Sequence, residues 1–266
     1  MLTHLAPARR RLVLVLAVVV ALVVAGGAGL AVWSAAGDAV VVDQTRPGPV
    51  LLVPGYGGSV ASLAPLAASL RTGGRDVTVV ALPDGAVGDL RAQADALGRA
   101  VDAALDRTDA PSVDLVGYSA GGVVARLWVV EDGGADRVRR LVTLGSPHHG
   151  TDLASLGSVV NGACPLACQQ LSVSSPVLSR LETAGLPQGP RYLSLWSTGD
   201  DVVVPPDSAV VEGVPSPSLQ SICPTVRVRH SALPGNALVQ RLVVEALGTA
   251  AEVPTWGPAD CARLTS

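Results

Sequence analysis

Residues 113–126, Val113-Asp-Leu-Val-Gly-Tyr-Ser-Ala-Gly-Gly-Val-Val-Ala-Arg126, constrain the fold more than any other stretch of the chain. Val113 to Val116 is short, apolar and β-branched, and reads as a buried parallel strand. Val123 to Val130 is apolar with Arg126 inside it, and reads as the start of a helix. Between them the chain must turn sharply through Gly117-Tyr118-Ser119-Ala120-Gly121, a G-x-S-x-G pattern. Glycine fits at 117 and 121 because such a turn presses backbone against backbone. Ser119 then occupies the tip, ahead of a helix N-terminus whose free N–H groups and dipole favour negative charge. In a chain with 29 glycines the pentapeptide alone is weak. A plain βα turn with an ordinary serine at the helix N-cap is the competing reading. The strand before, the helix after and the extra Gly122 favour a nucleophile.

Other strand and helix patterns alternate around this one. Val50 to Val53 is a buried strand that runs into Pro54-Gly-Tyr-Gly-Gly-Ser59, with a helix over Leu63, Leu66 and Leu70 and Ser59 as its N-cap. Asp76 to Leu82 reads as a strand, followed by an amphipathic helix carrying Leu90, Ala94, Leu97, Val101 and Leu105. Arg139 to Leu144, Arg191 to Ser197 and Val226 to Arg229 complete the expected strands, and Leu233 to Leu247 the closing helix, with Gly248 as its C-cap. This alternation implies an α/β fold, a mainly parallel sheet with helices on both faces and right-handed crossovers. Sites in such sheets lie at the C-terminal strand ends.

The expected domain spans residues 49–248, with residues 152–190 as a lid-like excursion and residues 249–266 as a tail. The run Leu153 to Val160 suits a short helix over the site. Ahead of the domain, residues 1–33 carry Arg9, Arg10 and Arg11 and then 22 uncharged residues, Leu12 to Trp33, followed by a linker over residues 34–48 in which Val40 to Val42 suits an edge strand or extended chain. As a helix, residues 12–33 would span roughly 33 Å, enough to cross a bilayer. A cleaved signal peptide is the rival; the length of the run and the lack of a clear A-x-A site favour an anchor with the domain outside the cytoplasm. A net charge of −3 and no basic patch beyond the extreme N-terminus argue against nucleic acid. A monomer is expected.

A serine hydroxyl needs a base in hydrogen-bond reach, and the base needs an acid to fix its tautomer. Of four histidines, His4 precedes the apolar run, while His148 and His149 precede the acid-bearing strand and read as structural. His230 follows the last strand, giving the chain order serine, acid, histidine of G-x-S-x-G hydrolases. Asp200 and Asp201 are both acid candidates; being adjacent, they cannot both face the imidazole. The glycine-rich turn after the first strand lacks the pattern and the lysine of a phosphate loop. It is instead the place for an oxyanion donor, the amide of Tyr56, paired with the amide of Ala120.

Three motifs together, Gly-Tyr-Ser119-Ala-Gly, Thr143-Leu-Gly-Ser-Pro-His-His-Gly-Thr151 and Ser197-Thr-Gly-Asp-Asp-Val-Val-Val-Pro205, resemble the secreted bacterial class 2 lipases of the α/β-hydrolase superfamily. The resemblance covers roughly residues 48–248 and places the triad acid at Asp200, with Asp201 as a variable neighbour. It implies a serine carboxylester hydrolase acting on an ester or lipid through Ser119, His230 and Asp200, with no cofactor and no metal. Pro54 stands where many such hydrolases carry histidine, as it does in some lipases. An acyltransferase or thioesterase on the same triad, and a non-catalytic envelope-binding module, are the alternatives.

The four cysteines, Cys164, Cys168, Cys223 and Cys261, follow the apolar run, where disulfides are the default. Three connectivities are possible, and Cys164–Cys168 with Cys223–Cys261 is the simplest. Their spacing does not make a zinc-ligand set.

Overall fold

Uniformly apolar segments pair side by side in a computed structural model that describes residue 18, residues 42–152 and residues 164–266. Five strands form one parallel sheet: β1 (Val50–Val53), β2 (Val77–Val79), β3 (Val113–Tyr118), β4 (Val138–Leu144) and β5 (Arg191–Leu195), in the order β2-β1-β3-β4-β5. Every residue of β1, β3 and β4 is buried, as expected of parallel strands covered on both faces.

Two apolar layers lie against the sheet. One packs alternate strand residues (Leu52, Val116, Val142, Leu193) on α1 (Ala64–Thr72), on the later helix α7 (Ala237–Ala246) and on Leu264 of the tail. The other packs Leu51, Leu115 and Leu141 on α2 (Leu90–Thr108) and α3 (Ala120–Glu131), and on the short helices α4 (Leu166–Gln170) and α5 (Pro176–Ala184). The period-two alternation of side chains thus sends each strand's residues to opposite cores. Helix α3 is buried from Ala120 to Val129, which explains its apolar, weakly amphipathic sequence. A last pair of short helices, α6 (Leu219–Ile222) and α8 (Cys261–Thr265), is joined by the Cys223–Cys261 disulfide; the second disulfide is Cys164–Cys168, at the start of α4.

Four expectations need correction. Ser59 does not cap α1, whose N-cap is Leu63; the Ser59 Oγ accepts from the Ser62 amide at 3.3 Å, ahead of the helix. Val226–Arg229 is not a strand. Its inward and outward alternation is real, with Val228 buried and Arg227 and Arg229 exposed, but the segment joins no ladder. The side of β5 away from β4 is taken by the 210–218 segment, where Ser194 N–H donates to Pro215 O, and Val228 O instead accepts from Ser197 Oγ at 2.6 Å. The closing helix starts at Ala237, not Leu233. A 3-10 turn over His230–Gly235 contains Pro234, and Asn236 caps α7 through its Oδ1 to the amides of Leu238 and Val239. Helix α7 ends with Leu247, rather than Gly248, as its C-cap.

Residues 12–33, apart from Val18, and residues 153–163 lie outside the described residues, so the expected anchor and the expected helix at Leu153 to Val160 do too, as do Val40 and Val41 of the expected edge strand. Among the described residues, no helix is long and apolar enough to cross a membrane.

Candidate active site

Parallel register lines up the strand ends. Val53 pairs with Gly117, and Tyr118 with Leu144, so the turns after β1, β3, β4 and β5 emerge in a row. The Ser119 amide donates to Leu144 O at 2.9 Å and the Gly145 amide to Leu195 O at 2.8 Å, tying each turn to the neighbouring strand.

At the end of β3 the backbone of Ser119 takes φ 55°, ψ −128°. That conformation is unfavourable for any residue with a side chain, by about 1–3 kcal/mol, and persists only when the surroundings enforce it. Here they do. A Cβ on Gly117 would fall 2.4 Å from Gly122 Cα, and one on Gly121 would fall 2.2 Å from Val53 O. Both glycines are therefore dictated by close backbone approach, as the sequence suggested.

The three predicted side chains meet. His230 Nε2 lies 2.9 Å from Ser119 Oγ, and His230 Nδ1 lies 2.7 Å from Asp200 Oδ2. Asp200 is held in turn: its Oδ1 accepts from the amides of Val202 and Val203 at 3.0 and 2.8 Å. All three residues are buried, at 7% (Ser119), 5% (His230) and 7% (Asp200) exposure. An imidazole fixed between a carboxylate and a hydroxyl at these distances has the geometry required to take the hydroxyl proton.

Asp201 turns the other way. Its Oδ1 accepts from the main-chain amide of His230 at 3.2 Å, and its Oδ2 is 3.7 Å from Arg229 Nη1. The adjacent aspartates thus both reach His230, one at the ring and one at the backbone, an outcome the adjacency argument had not anticipated.

Tyr118 is a residue the sequence reading passed over. Its hydroxyl donates to His230 O at 3.1 Å and its ring lies 5.1 Å from the imidazole, tilted by 31°. Burial, and then the charges of Asp200 and Asp201, push its phenol well above the ordinary value. No pattern in a single sequence marks the position between the glycine and the serine of the elbow.

Ala120 follows Ser119 directly, and Tyr56 follows Gly55 on the turn after β1. Neither amide has a protein acceptor among the described residues. The turn that carries Tyr56 closes on the elbow: a Cβ at Gly55 would fall 2.8 Å from Ser119 Cβ. Behind this turn, Gly58 abuts Gly85, in a run of left-handed residues Asp84, Gly85 and Ala86. Helix α4 braces that run, through Ala167 N–H to Val87 O at 3.1 Å and Gln170 to Asp89 and the Leu90 amide, both at 2.8 Å.

His148 and His149 stay outside the constellation, in line with the structural reading. Thr143 Oγ1 donates to Ser194 Oγ, and Ser194 Oγ donates to Ala209 O, so His148 Nε2, 3.1 Å from Thr143 Oγ1, is the donor there. Its Nδ1 is then a bare acceptor with no partner among the described residues. Burial, with Arg126 and His149 nearby, holds His148 well below its ordinary 6.5. His149 Nδ1 lies 3.2 Å from Ser208 O.

A sequence model of the α/β hydrolase fold matches residues 48–159. No curated protein matches the chain in sequence. Among solved structures, Aspergillus fumigatus lipase B is similar, with a TM-score of 0.66 and 19% identity over 84% of this chain; the chain spans 58% of that lipase. Mature Bacillus licheniformis lipase BlEst2 has a TM-score of 0.65 and 20% identity over 78% of this chain and 94% of its own length. Paleococcus ferrophilus monoacylglycerol lipase has a TM-score of 0.53 and 15% identity over 78% of this chain and 95% of its own. The protein has the α/β-hydrolase fold.

Proposed function

We propose that this protein is a serine carboxylester hydrolase whose catalytic domain is residues 49–248. The observation that carries the reading is the unbroken relay from Asp200 through His230 to Ser119, at 2.7 and 2.9 Å, on a strained strand-to-helix turn.

Ser119 attacks the ester carbonyl while its proton passes to His230 Nε2. Asp200 Oδ2, ionised throughout, accepts a hydrogen bond from Nδ1–H, which fixes the tautomer and stabilises the imidazolium. The tetrahedral oxyanion takes hydrogen bonds from the amides of Tyr56 and Ala120 at the N-terminus of α3. The imidazolium then gives its proton to the departing alkoxide. A water molecule, deprotonated by the same ring, attacks the acyl-enzyme and frees the carboxylic acid and Ser119. The fold likeness to lipases favours an ester or lipid substrate. Two disulfides fit a domain outside the cytoplasm, with residues 12–33 as its membrane anchor.

Ser119→Ala tests the reading. Hydrolysis of short and medium acyl nitrophenyl esters, and labelling by a fluorophosphonate, are expected to vanish while the circular dichroism spectrum is unchanged. Full activity in this variant would overturn the mechanism, and comparing water with an alcohol acceptor separates hydrolysis from acyl transfer.

A further inference from the structure

His230 is the least supported of the three site residues by regular structure. Ser119 is fixed between β3 and α3, and Asp200, in the turn five residues beyond the end of β5, has its own pair of amide donors. The segment entering His230, Val226–Arg229, joins no strand, and His230 itself is only the first residue of a 3-10 turn. A first-turn amide has no partner within its own helix. Something else must set where this residue's main chain lies.

We propose that Tyr118 and Asp201 are positioning residues that clamp the main chain of His230 from both sides, a proposal resting on the hydrolase reading above. The His230 N–H donates to Asp201 Oδ1 at 3.2 Å, and the His230 carbonyl accepts from the Tyr118 hydroxyl at 3.1 Å. The two clamps are the sequence neighbours of the two groups that the imidazole meets. In the pair Tyr118–Ser119, the tyrosine binds the backbone and the serine faces the ring. In the pair Asp200–Asp201, the first aspartate binds the ring and the second the backbone. Any displacement of β3 or of the turn after β5 therefore carries the His230 main chain along with the side chain it must serve. The tilted ring contact between Tyr118 and His230 adds a third restraint, on the imidazole plane.

Such a clamp acts on geometry during the reaction rather than on substrate binding. A shift of about 1 Å in the imidazole would cost up to roughly 100-fold in rate. Tyr118→Phe, which keeps the ring and loses the hydroxyl, is expected to lower kcat by about 10-fold with KM changed by less than about twofold. Asp201→Ala is expected to do the same by roughly fivefold, and Asp201→Asn, which keeps an oxygen acceptor for the amide, to return kcat to within about twofold of the parent. Asp201 is half-exposed, so its variants test the clamp even if Tyr118→Phe fails to fold.

The readouts are kcat and KM on nitrophenyl butyrate, together with the rate and final extent of fluorophosphonate labelling. Slower labelling to the same final extent supports the clamp. Tyr118→Phe and Asp201→Ala proteins with kcat within about twofold of the parent overturn it, as does an Asp201→Asn protein no better than Asp201→Ala. In both cases the hydrolase reading stands, because the parent still hydrolyses and labels at Ser119. A parent protein that does neither overturns that reading, and the clamp falls with it.

Discussion

Arg139 meets Asp114 across β4 and β3 in a two-pronged pair with no solvent exposure, Nε to Oδ1 at 2.9 Å and Nη2 to Oδ2 at 2.6 Å. The guanidinium's remaining donors are also used. Nη1 donates to Gln44 O at 2.8 Å and Gly248 O at 2.7 Å, and Nη2 donates to Leu247 O at 2.9 Å, so all five N–H groups have acceptors. Arg75 Nη2 adds a second cation 2.5 Å from Asp114 Oδ2. Removing one partner of a buried pair leaves the other uncompensated, at a cost of about 3–5 kcal/mol. Asp114→Ala is therefore expected to lose that much stability in urea unfolding. The double change Asp114→Leu with Arg139→Met is not expected to restore it, because Gln44 O and Gly248 O lose their donor at about 1–3 kcal/mol each, while Leu247 O keeps Arg75 Nη1 at 3.0 Å. Asp114 is near the start of β3, roughly 16 Å from Ser119 along the strand. The folded fraction should keep its kcat/KM, and activity per folded molecule checks this.

Gly145 links the sheet to the site more tightly than its place in a loop suggests. It has φ +54°, and a Cβ there would fall 2.6 Å from Leu233 Cδ1, 2.9 Å from Asp200 Oδ2 and 3.3 Å from His230 Nδ1. Gly145→Ala is expected to push the carboxylate and the imidazole apart and lower kcat by roughly 100-fold, together with some loss of Tm. Gly235, at the end of the same turn that His230 begins, has open space around it. Gly235→Ala serves as the control, with kcat unchanged.

Buried, neutral His148 ties stability to pH. Its value in the folded protein lies well below the ordinary 6.5, so at pH between the two the unfolded chain holds a proton that the native protein lacks. Stability from this group is then complete above about pH 6.5, and on acidification it falls by about 1.4 kcal/mol per pH unit until the folded value is reached. His148→Gln should remove that slope. Urea midpoints at pH 7.5, 6.5 and 5.5 for both proteins check the difference; equal slopes would count against it.

The disulfides should differ in worth because their loops differ. Cys223–Cys261 spans 38 residues and Cys164–Cys168 spans four. Loop-closure entropy gives about 4 kcal/mol for the first and about 2 for the second. Serine pairs at each bridge, compared by urea unfolding, are expected to keep that order. Loss of the short bridge should also lower activity more than loss of the long one, since α4 supports the run that abuts the Tyr56 turn.

Much of the fold was legible because parallel strands buried on both faces leave uniformly apolar runs, and β1, β3 and β4 are such runs. The glycines of the elbow were legible for a similar reason, since only a missing Cβ permits the contacts they make. Val226–Arg229 misled because alternation reports which way side chains point and says nothing about whether the backbone has a partner. Pro234 and Asn236 were available as signals for the later start of α7, and the apolar period of the helix hid them. At the site, the residue types and chain order led to Ser119, His230 and an aspartate. The motif resemblance singled out Asp200 as the acid; the parts played by Asp201 and Tyr118 depend on main-chain atoms of His230, which every residue shares and no sequence distinguishes.

The cradle around Arg139 draws on carbonyls from both ends of the described domain, Gln44 near its beginning and Leu247 and Gly248 near its close. A ribosome delivers these positions more than two hundred residues apart. Until the later ones emerge, two of the guanidinium's five N–H groups have only water to receive them, and the imidazole-bearing turn has only just appeared. Synthesis therefore completes two things together: the His230 turn of the proposed triad and the last acceptors of the Arg139 guanidinium arrive in the same late installment of chain.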